Sequence, residues 1–126
     1  MQPSGAPPNI GRVYDPPDQD QGERILVDRL WPRGLTKEAA ELDQWCKTIA
    51  PSDELRRWYG HDPERFEEFA GRYREELEQP ERAAALRQLI ESSREHRVTL
   101  LTATKKPELS HAAILRDLIH DKAQGA

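Results

Sequence analysis

Apolar runs at two places in the chain predict buried strands. They lie in "ERILVDRLW" (23–31) and "RVTLLTAT" (97–104), and an unbroken apolar stretch bounded by polar residues is typical of a strand covered on both faces. A third candidate strand is "GRVYD" (11–15), which ends at a Pro-Pro pair. The loop of about nine residues between the first two strands of the chain is too short for a helical crossover. Those two strands therefore pair antiparallel or are not neighbours.

Helical periodicity and capping residues occupy most of the remaining chain. The predicted helices run from about Lys37 to Lys47 and over residues 51–60, 62–79, 81–95 and 111–123. Their expected N-terminal signals are Thr36, Ser52, Asp62 followed by Pro63, Pro80 and Ser110. Gly60 is the expected stop of the second helix. The third helix carries an apolar stripe formed by Phe66, Phe69, Tyr73 and Leu77.

Strands that alternate with helices predict an α/β fold. We expect a small, mostly parallel sheet of about three strands, covered by helices on both faces. A chain of 126 residues has room for one hydrophobic core. Residues 11–122 are therefore predicted to form a single domain, preceded by a disordered Pro-, Gly- and Ser-rich segment (1–10) and followed by a tail (123–126).

Composition and charge limit the classes of function that fit this chain. The net charge is −4 and the charges are finely mixed, which argues against non-specific nucleic-acid binding as the main activity. Cys46 is the single cysteine, so a disulfide within the chain and a multi-cysteine zinc site are excluded, and we expect a buried thiol. The histidines share no metal-ligand spacing, and no nucleotide-binding glycine motif occurs. We expect a cytoplasmic protein with no metal, cofactor or membrane contact.

The candidate site follows from the strand ends. If the strands at 24–30 and 97–103 are parallel, the stretch "DRLWPRG" (28–34) and the stretch "TATKKPELSH" (102–111) leave the same edge of the sheet, where open α/β folds bind ligands. The residues expected to hold a phosphate, nucleotide or carboxylate are Arg29, Arg33 and Lys105. Trp31 and Trp58 are expected to form the wall, and Asp28 and His111 are the acid/base candidates. The start of the last helix would add a positive dipole end.

Each of these residues also fits a structural role. Arg29 fits an ion pair with a nearby acid, Trp31 fits the core, and Lys105 fits an exposed charged turn. A rival hypothesis from another class is a protein or nucleic-acid interaction module that uses the same Trp and Arg side chains. The chain leaves catalysis and oligomeric state open.

The motifs resemble one known family. The segments that carry the resemblance are "RVYD" (12–15), "ILVDRLWPRG" (25–34), "LDQW" (42–45), "LRRWYGHDPERFEEFAGRYREEL" (55–77), "VTLLTATK" (98–105) and "HAAILRDLI" (111–119). Together they are similar to the YeaO-like branch of the domain-of-unknown-function family 488, from about Arg12 to Ile119. The resemblance implies a small α/β domain and no stated activity. Thr102, Thr104 and Lys106 depart from the family pattern and make the expected pocket more polar and more cationic.

Overall fold

The computed structural model describes residues 7–17 and 22–124. The first strand begins at Asn9, two residues before the expected domain boundary, and the last helix continues to Gln124. The predicted disorder of residues 1–6 falls outside the described residues. Of the predicted tail, residues 125 and 126 also lie outside them.

Four parallel strands form the sheet, one more than expected. They are β1 (Asn9–Arg12), β2 (Glu23–Leu26), β3 (Gln44–Trp45) and β4 (Val98–Thr102), in the order β1-β4-β2-β3. β4 lies between β1 and β2, with Arg12 opposite Thr102 and Leu26 opposite Leu101. The short loop after β1 therefore joins β1 to β2, two strands that are not neighbours in the sheet. Non-neighbouring strands were one of the two predicted arrangements; an antiparallel pair was the other. The mixed α/β class with a small parallel sheet is confirmed.

Five α-helices complete the described chain: α1 (Lys37–Ala40), α2 (Asp53–Tyr59), α3 (Phe66–Glu76), α4 (Pro80–Glu95) and α5 (His111–Gln124). Short 3₁₀ turns precede three of them, at Lys47–Ile49, Pro63–Arg65 and Pro107–Leu109. The predicted caps of α2 are present: Ser52 Oγ accepts from the Leu55 amide, and Gly60 adopts a left-handed conformation with φ of 55°. Ser110 Oγ likewise accepts from the Ala112 amide at the start of α5.

The predicted helix from about Lys37 to Lys47 is wrong beyond its first turn. Glu41 has a left-handed backbone (φ 48°) and ends α1 after Ala40. The buried Arg24 guanidinium donates to two backbone carbonyls at this point: Nη2 to Ala40 O at 2.7 Å and Nε to Glu41 O at 3.0 Å. In a longer helix these carbonyls would accept hydrogen bonds from backbone amides of the next turn. Asp43 then exchanges hydrogen bonds with the Arg24 backbone, and the chain continues as β3.

Side chains of the sheet alternate between two cores. Ile25, Val27, Val98 and Leu100 face α2, α3, α4 and α5 and form the helical core. Val13, Leu26 and Leu101 face the other way and form the loop-side core. The loop-side core is covered by Trp31, Leu35 and Leu42, which belong to the irregular segment around α1. Helices thus dominate one face, and a loop with a single helical turn closes the other.

Candidate functional site

A cleft of about 510 Å³ opens at the carboxyl ends of the strands. β2 and β4 are parallel, so the segments that follow them, including Asp28 and Ala103, leave the sheet at one edge. The start of α5 and the last turns of α2 complete the walls. The predicted meeting of "DRLWPRG" with the loop after β4 is therefore present. The residues discussed below that line the cleft are Tyr14, Asp28, Arg29, Trp31, Arg33, Arg56, Arg57, Tyr59, His61, Thr104, Ser110 and His111.

Asp28 and His111 meet on the inner wall of this cleft. Asp28 Oδ2 accepts from the Ala103 amide at 2.8 Å, and Oδ1 lies 3.4 Å from His111 Nε2. His111 Nε2 is also 2.9 Å from Val27 O. A carbonyl can only accept, so Nε2 carries the hydrogen, and the neutral ring keeps Nδ1 as an acceptor. Both acid/base candidates are thus anchored to the backbone.

The environment of His111 favours its neutral form. Burial lowers the pKa of His111, and the nearby carboxylate of Asp28 opposes that shift without reversing it. Asp28 Oδ1 is buried and has no hydrogen-bond partner among the described residues. The arrangement can therefore present a neutral imidazole next to a carboxylate, which is the kind of pair that accepts or relays a proton.

Four arginines line the cleft, and their environments differ. Arg29 forms an ion pair with Asp53, which also pairs with Arg56 from α2. Those hydrogen bonds, first from Arg56 and then from Arg29, lower the pKa of Asp53. Arg33 and Arg57 are exposed, and within residues 7–17 and 22–124 neither side chain has an ion-pair partner. Arg29 therefore has the structural partner that the sequence left open, whereas Arg33 faces solvent.

Trp31 and Trp58, the two tryptophans predicted to form the wall of the cleft, lie in different places. Trp31 lines the cleft, donates from Nε1 to Leu35 O and packs edge-on against Trp45, with ring centroids 5.3 Å apart. Trp58 does not line the cleft: its ring packs against the helical core, and the guanidinium groups of Arg65 and Arg72 lie over it.

Lys105 and the start of α5 also differ from the expected picture. Lys105 lines a neighbouring cleft instead of this one. At the start of α5, the amides of Ala112 and Ala113 donate to the hydroxyl and the carbonyl of Ser110. These two amides are therefore occupied by the cap, and the helix contributes its dipole more than free donors.

Sequence reasoning missed several lining residues. Arg56 and Arg57 lie in the predicted helix over residues 51–60 and had no predicted role in the site, and His61 was not among the predicted site residues. His61 has a left-handed backbone (φ 59°) directly after Gly60, which turns the chain back across the mouth of the cleft. The adjacent pair of arginines near the end of α2 was the available signal, but a helical pattern does not say which sheet edge that end approaches.

Cys46 is buried, as predicted, and burial raises the pKa of its thiol. That environment disfavours the thiolate form that a nucleophile needs. Within the described residues, no group of three or more His, Cys, Asp or Glu side chains is placed to hold a metal ion. None of the helices there is long and apolar enough to cross a membrane.

Comparisons with known proteins identify relatives over almost the whole chain. The family described as the inactive DUF488-N3 subclade matches residues 9–125. The uncharacterized protein Rv3073c of Mycobacterium tuberculosis is 49% identical over 113 residues, which cover 90% of this chain and 93% of the relative. The uncharacterized protein YeaO of Escherichia coli is 42% identical over 106 residues, covering 84% and 90% of the two chains. No solved structure matches significantly.

Proposed function

Because the chain belongs to the inactive DUF488-N3 subclade, we propose that its cleft binds a small anionic ligand and does not transform it. The ligand class is a phosphate, a nucleotide or a carboxylate. One observation carries the proposal: among the described residues, four arginines and one carboxylate line a single cleft, and two of those arginines have no ion-pair partner there, although the whole chain has a net charge of −4. Concentrated positive charge in a concave site attracts and retains anions.

The four arginines of the cleft have two different roles in ligand binding. Arg33 and Arg57 have no internal carboxylate among the described residues, so their guanidinium groups are available for bidentate contacts with phosphate or carboxylate oxygens. Arg29 and Arg56 are held in place by Asp53, which orients them before the ligand arrives. Preorganised groups lose less side-chain entropy on binding.

Asp28 and His111 define the enzymatic version of this proposal. In a hydrolytic or transfer reaction, neutral His111 would act as the base and Asp28 would orient it. We favour binding without turnover, because the family is described as inactive and both side chains are tied to backbone groups that directly follow two neighbouring strands.

The test is calorimetric titration of the full chain with phosphate, AMP and citrate. We expect binding by the native chain and a loss of about tenfold in affinity for Arg33→Gln and for Arg57→Gln, since a charged contact in a cleft contributes about 1.4 kcal/mol or more. Arg87→Gln is the matched control, because Arg87 is exposed on α4 and does not line the cleft. Absence of binding to all three anions, or an equal loss in Arg87→Gln, contradicts the proposal.

One observation favours the second candidate, an interaction module. Within the described residues, the exposed large apolar side chains are Tyr14, Leu30 and Trp45. All three lie around "DRLWPRG": Leu30 belongs to it, Tyr14 donates to Arg33 O, and Trp45 donates to Asp28 O. For a nucleic-acid partner, binding of a single-stranded oligonucleotide must weaken steeply with salt. Flat salt dependence or no binding removes that version.

A further inference from the structure

The arginine cleft neighbours a second cleft on the same edge of the sheet. The second cleft has a volume of about 670 Å³ and is lined by Lys105 and Lys106 from the loop after β4. Four residues line both clefts: Tyr59, His61, Ala103 and Thr104. The two clefts are therefore adjacent along a shared wall, and a ligand long enough to cross these residues would contact both clefts.

Positive charge continues across that wall. Two lysines and no carboxylate are among the described residues that line the second cleft, while Asp28 is the single carboxylate of the first. Among the described residues, six cationic side chains and one carboxylate line the two clefts, and Asp53 pairs with two of the arginines. Arg33, Arg57, Lys105 and Lys106 are the cations without an ion-pair partner within that part of the chain. A single phosphate bound in one cleft would leave the cations of the other cleft without a counter-charge. The charge distribution fits an anion that is extended.

The shared wall is fixed by contacts within the chain. Tyr59 stacks on Phe69 with ring centroids 4.2 Å apart, and its hydroxyl donates to Leu109 O at 2.6 Å. The Asp62 amide donates to Tyr59 O at 3.0 Å and closes the turn that carries His61. These contacts tie α2 to the loop before α5, so the relative position of the two clefts is set before a ligand binds.

Resting on the proposed function, we propose that the ligand of this edge is an oligophosphate: two or more phosphate groups on one chain. Its one end lies among Arg33, Arg57 and the Asp53-bound arginines, where planar guanidinium groups match phosphate oxygens in pairs. Its other end reaches Lys105 and Lys106, whose flexible ammonium groups act as point charges. Inorganic triphosphate and nucleoside triphosphates share this chemistry.

Calorimetric titration of the full chain with phosphate, triphosphate and ATP tests this inference. We expect triphosphate to bind the native chain at least about tenfold more tightly than phosphate, and the double variant Lys105→Gln/Lys106→Gln to lose most of that advantage. Two exposed charge contacts of about 0.7 kcal/mol each correspond to about tenfold. The phosphate affinity of the double variant should stay within about twofold of the native value, because the arginine cleft is unchanged.

Lys122→Gln is the control, since Lys122 is exposed in the last turn of α5, far along the helix from His111. One outcome overturns this inference and leaves the proposed function intact: phosphate binding depends on Arg33 and Arg57, triphosphate binds no more tightly than phosphate, and the lysine substitutions have no effect. Binding of neither phosphate nor triphosphate overturns both. Tighter binding of ATP than of triphosphate supports the inference and adds a nucleoside contact; equal binding supports it for the phosphate chain alone.

Discussion

The two faces of the sheet differ in how much apolar surface they bury. On the helical side, four helices pack apolar side chains against the strands, and nearly every member of that core is an aliphatic or aromatic residue. On the loop side, three buried residues are covered by a segment with a single helical turn. Side-chain hydrogen bonds to backbone groups occur on both faces, as Tyr73 shows on the helical side. On the loop side they accompany a much smaller apolar core, as Arg24, Asp28 and Trp31 illustrate.

This difference places the candidate site. The irregular segment between β2 and β3 contributes Arg29 and Arg33 to the cleft, and the last turns of α2 contribute Arg56 and Arg57 while its apolar residues face the core. The cleft forms where the two faces meet, with "DRLWPRG" from one side and α2 and α5 from the other. Binding residues on a loop supported by a rigid scaffold are a general arrangement.

The largest effect is expected from the two neighbouring leucines of β4. Leu100 faces the helical core and Leu101 faces the loop-side core, and both are fully buried. Leu100→Ala should lower the free energy of unfolding by about 3–5 kcal/mol, and Leu101→Ala by about 2–3 kcal/mol. Packed helices relax little around a cavity, whereas the loop can settle into one. Urea denaturation measures both values.

Leu100→Val and Leu101→Val keep the comparison measurable if an alanine variant does not fold, because they remove less volume and suit a strand. A cost for Leu101→Ala equal to or above that of Leu100→Ala contradicts the idea that the loop side is the more adaptable face.

The same contrast explains which parts of the structure were predictable. β2, β4, α2 and the later helices were expected because periodicity and caps are local signals, and Ser52, Gly60 and Ser110 act as predicted. β3 was missed because a buried arginine far away along the chain ends α1 through its carbonyls.

For the site, the sequence predicted the edge of the sheet and named Asp28 and His111 as acid/base candidates at that edge. It did not predict Arg56, Arg57 and His61 on the cleft wall or Trp58 outside it. The direction in which α2 approaches the sheet depends on tertiary packing, as in the stacking of Tyr59 on Phe69, and that packing is not written in local spacing.

Asp28 joins the two faces, and its removal should have the next largest effect. Its carboxylate accepts from the Ala103 amide, which becomes an unpaired donor in Asp28→Ala. We expect a loss of about 2 kcal/mol in the free energy of unfolding, the usual cost of leaving a part-buried backbone donor without an acceptor. Asp28→Asn keeps a carbonyl oxygen for that amide and should lose less. Equal losses in the two variants, measured by urea denaturation, show that the hydrogen bond to Ala103 is not the stabilising contact.

His111 should make the junction of the two faces sensitive to pH. Burial lowers its pKa below the usual value of 6.5, so between the folded pKa and 6.5 the unfolded chain binds more protons than the folded chain. The contribution of neutral His111 to the free energy of unfolding is therefore fully present above about pH 6.5. It declines as the pH falls from 6.5 towards the folded pKa, by at most about 1.4 kcal/mol per pH unit for one proton. Urea denaturation across this range measures the decline.

His111→Gln should flatten the decline, because the glutamine amide still donates to Val27 O but does not titrate in this range. His120→Gln is the matched control on the same helix, at a part-exposed position. An unchanged pH profile in His111→Gln assigns the decline to other groups.

The smallest expected effect on the free energy of unfolding comes from removing either of two indole hydrogen bonds on the loop side. Trp31 Nε1 donates to Leu35 O and Trp45 Nε1 donates to Asp28 O, but Trp45 is the more exposed ring of the two. Trp31→Phe should lower the free energy of unfolding by about 1 kcal/mol, and Trp45→Phe by about 0.5 kcal/mol or less, because water replaces the lost donor more readily at an exposed position. Thermal or urea denaturation of the two variants gives the comparison. If Trp45→Phe costs more, then the loop-side face is stabilised at its outer rim, next to the cleft, and not through the indole that covers the loop-side core.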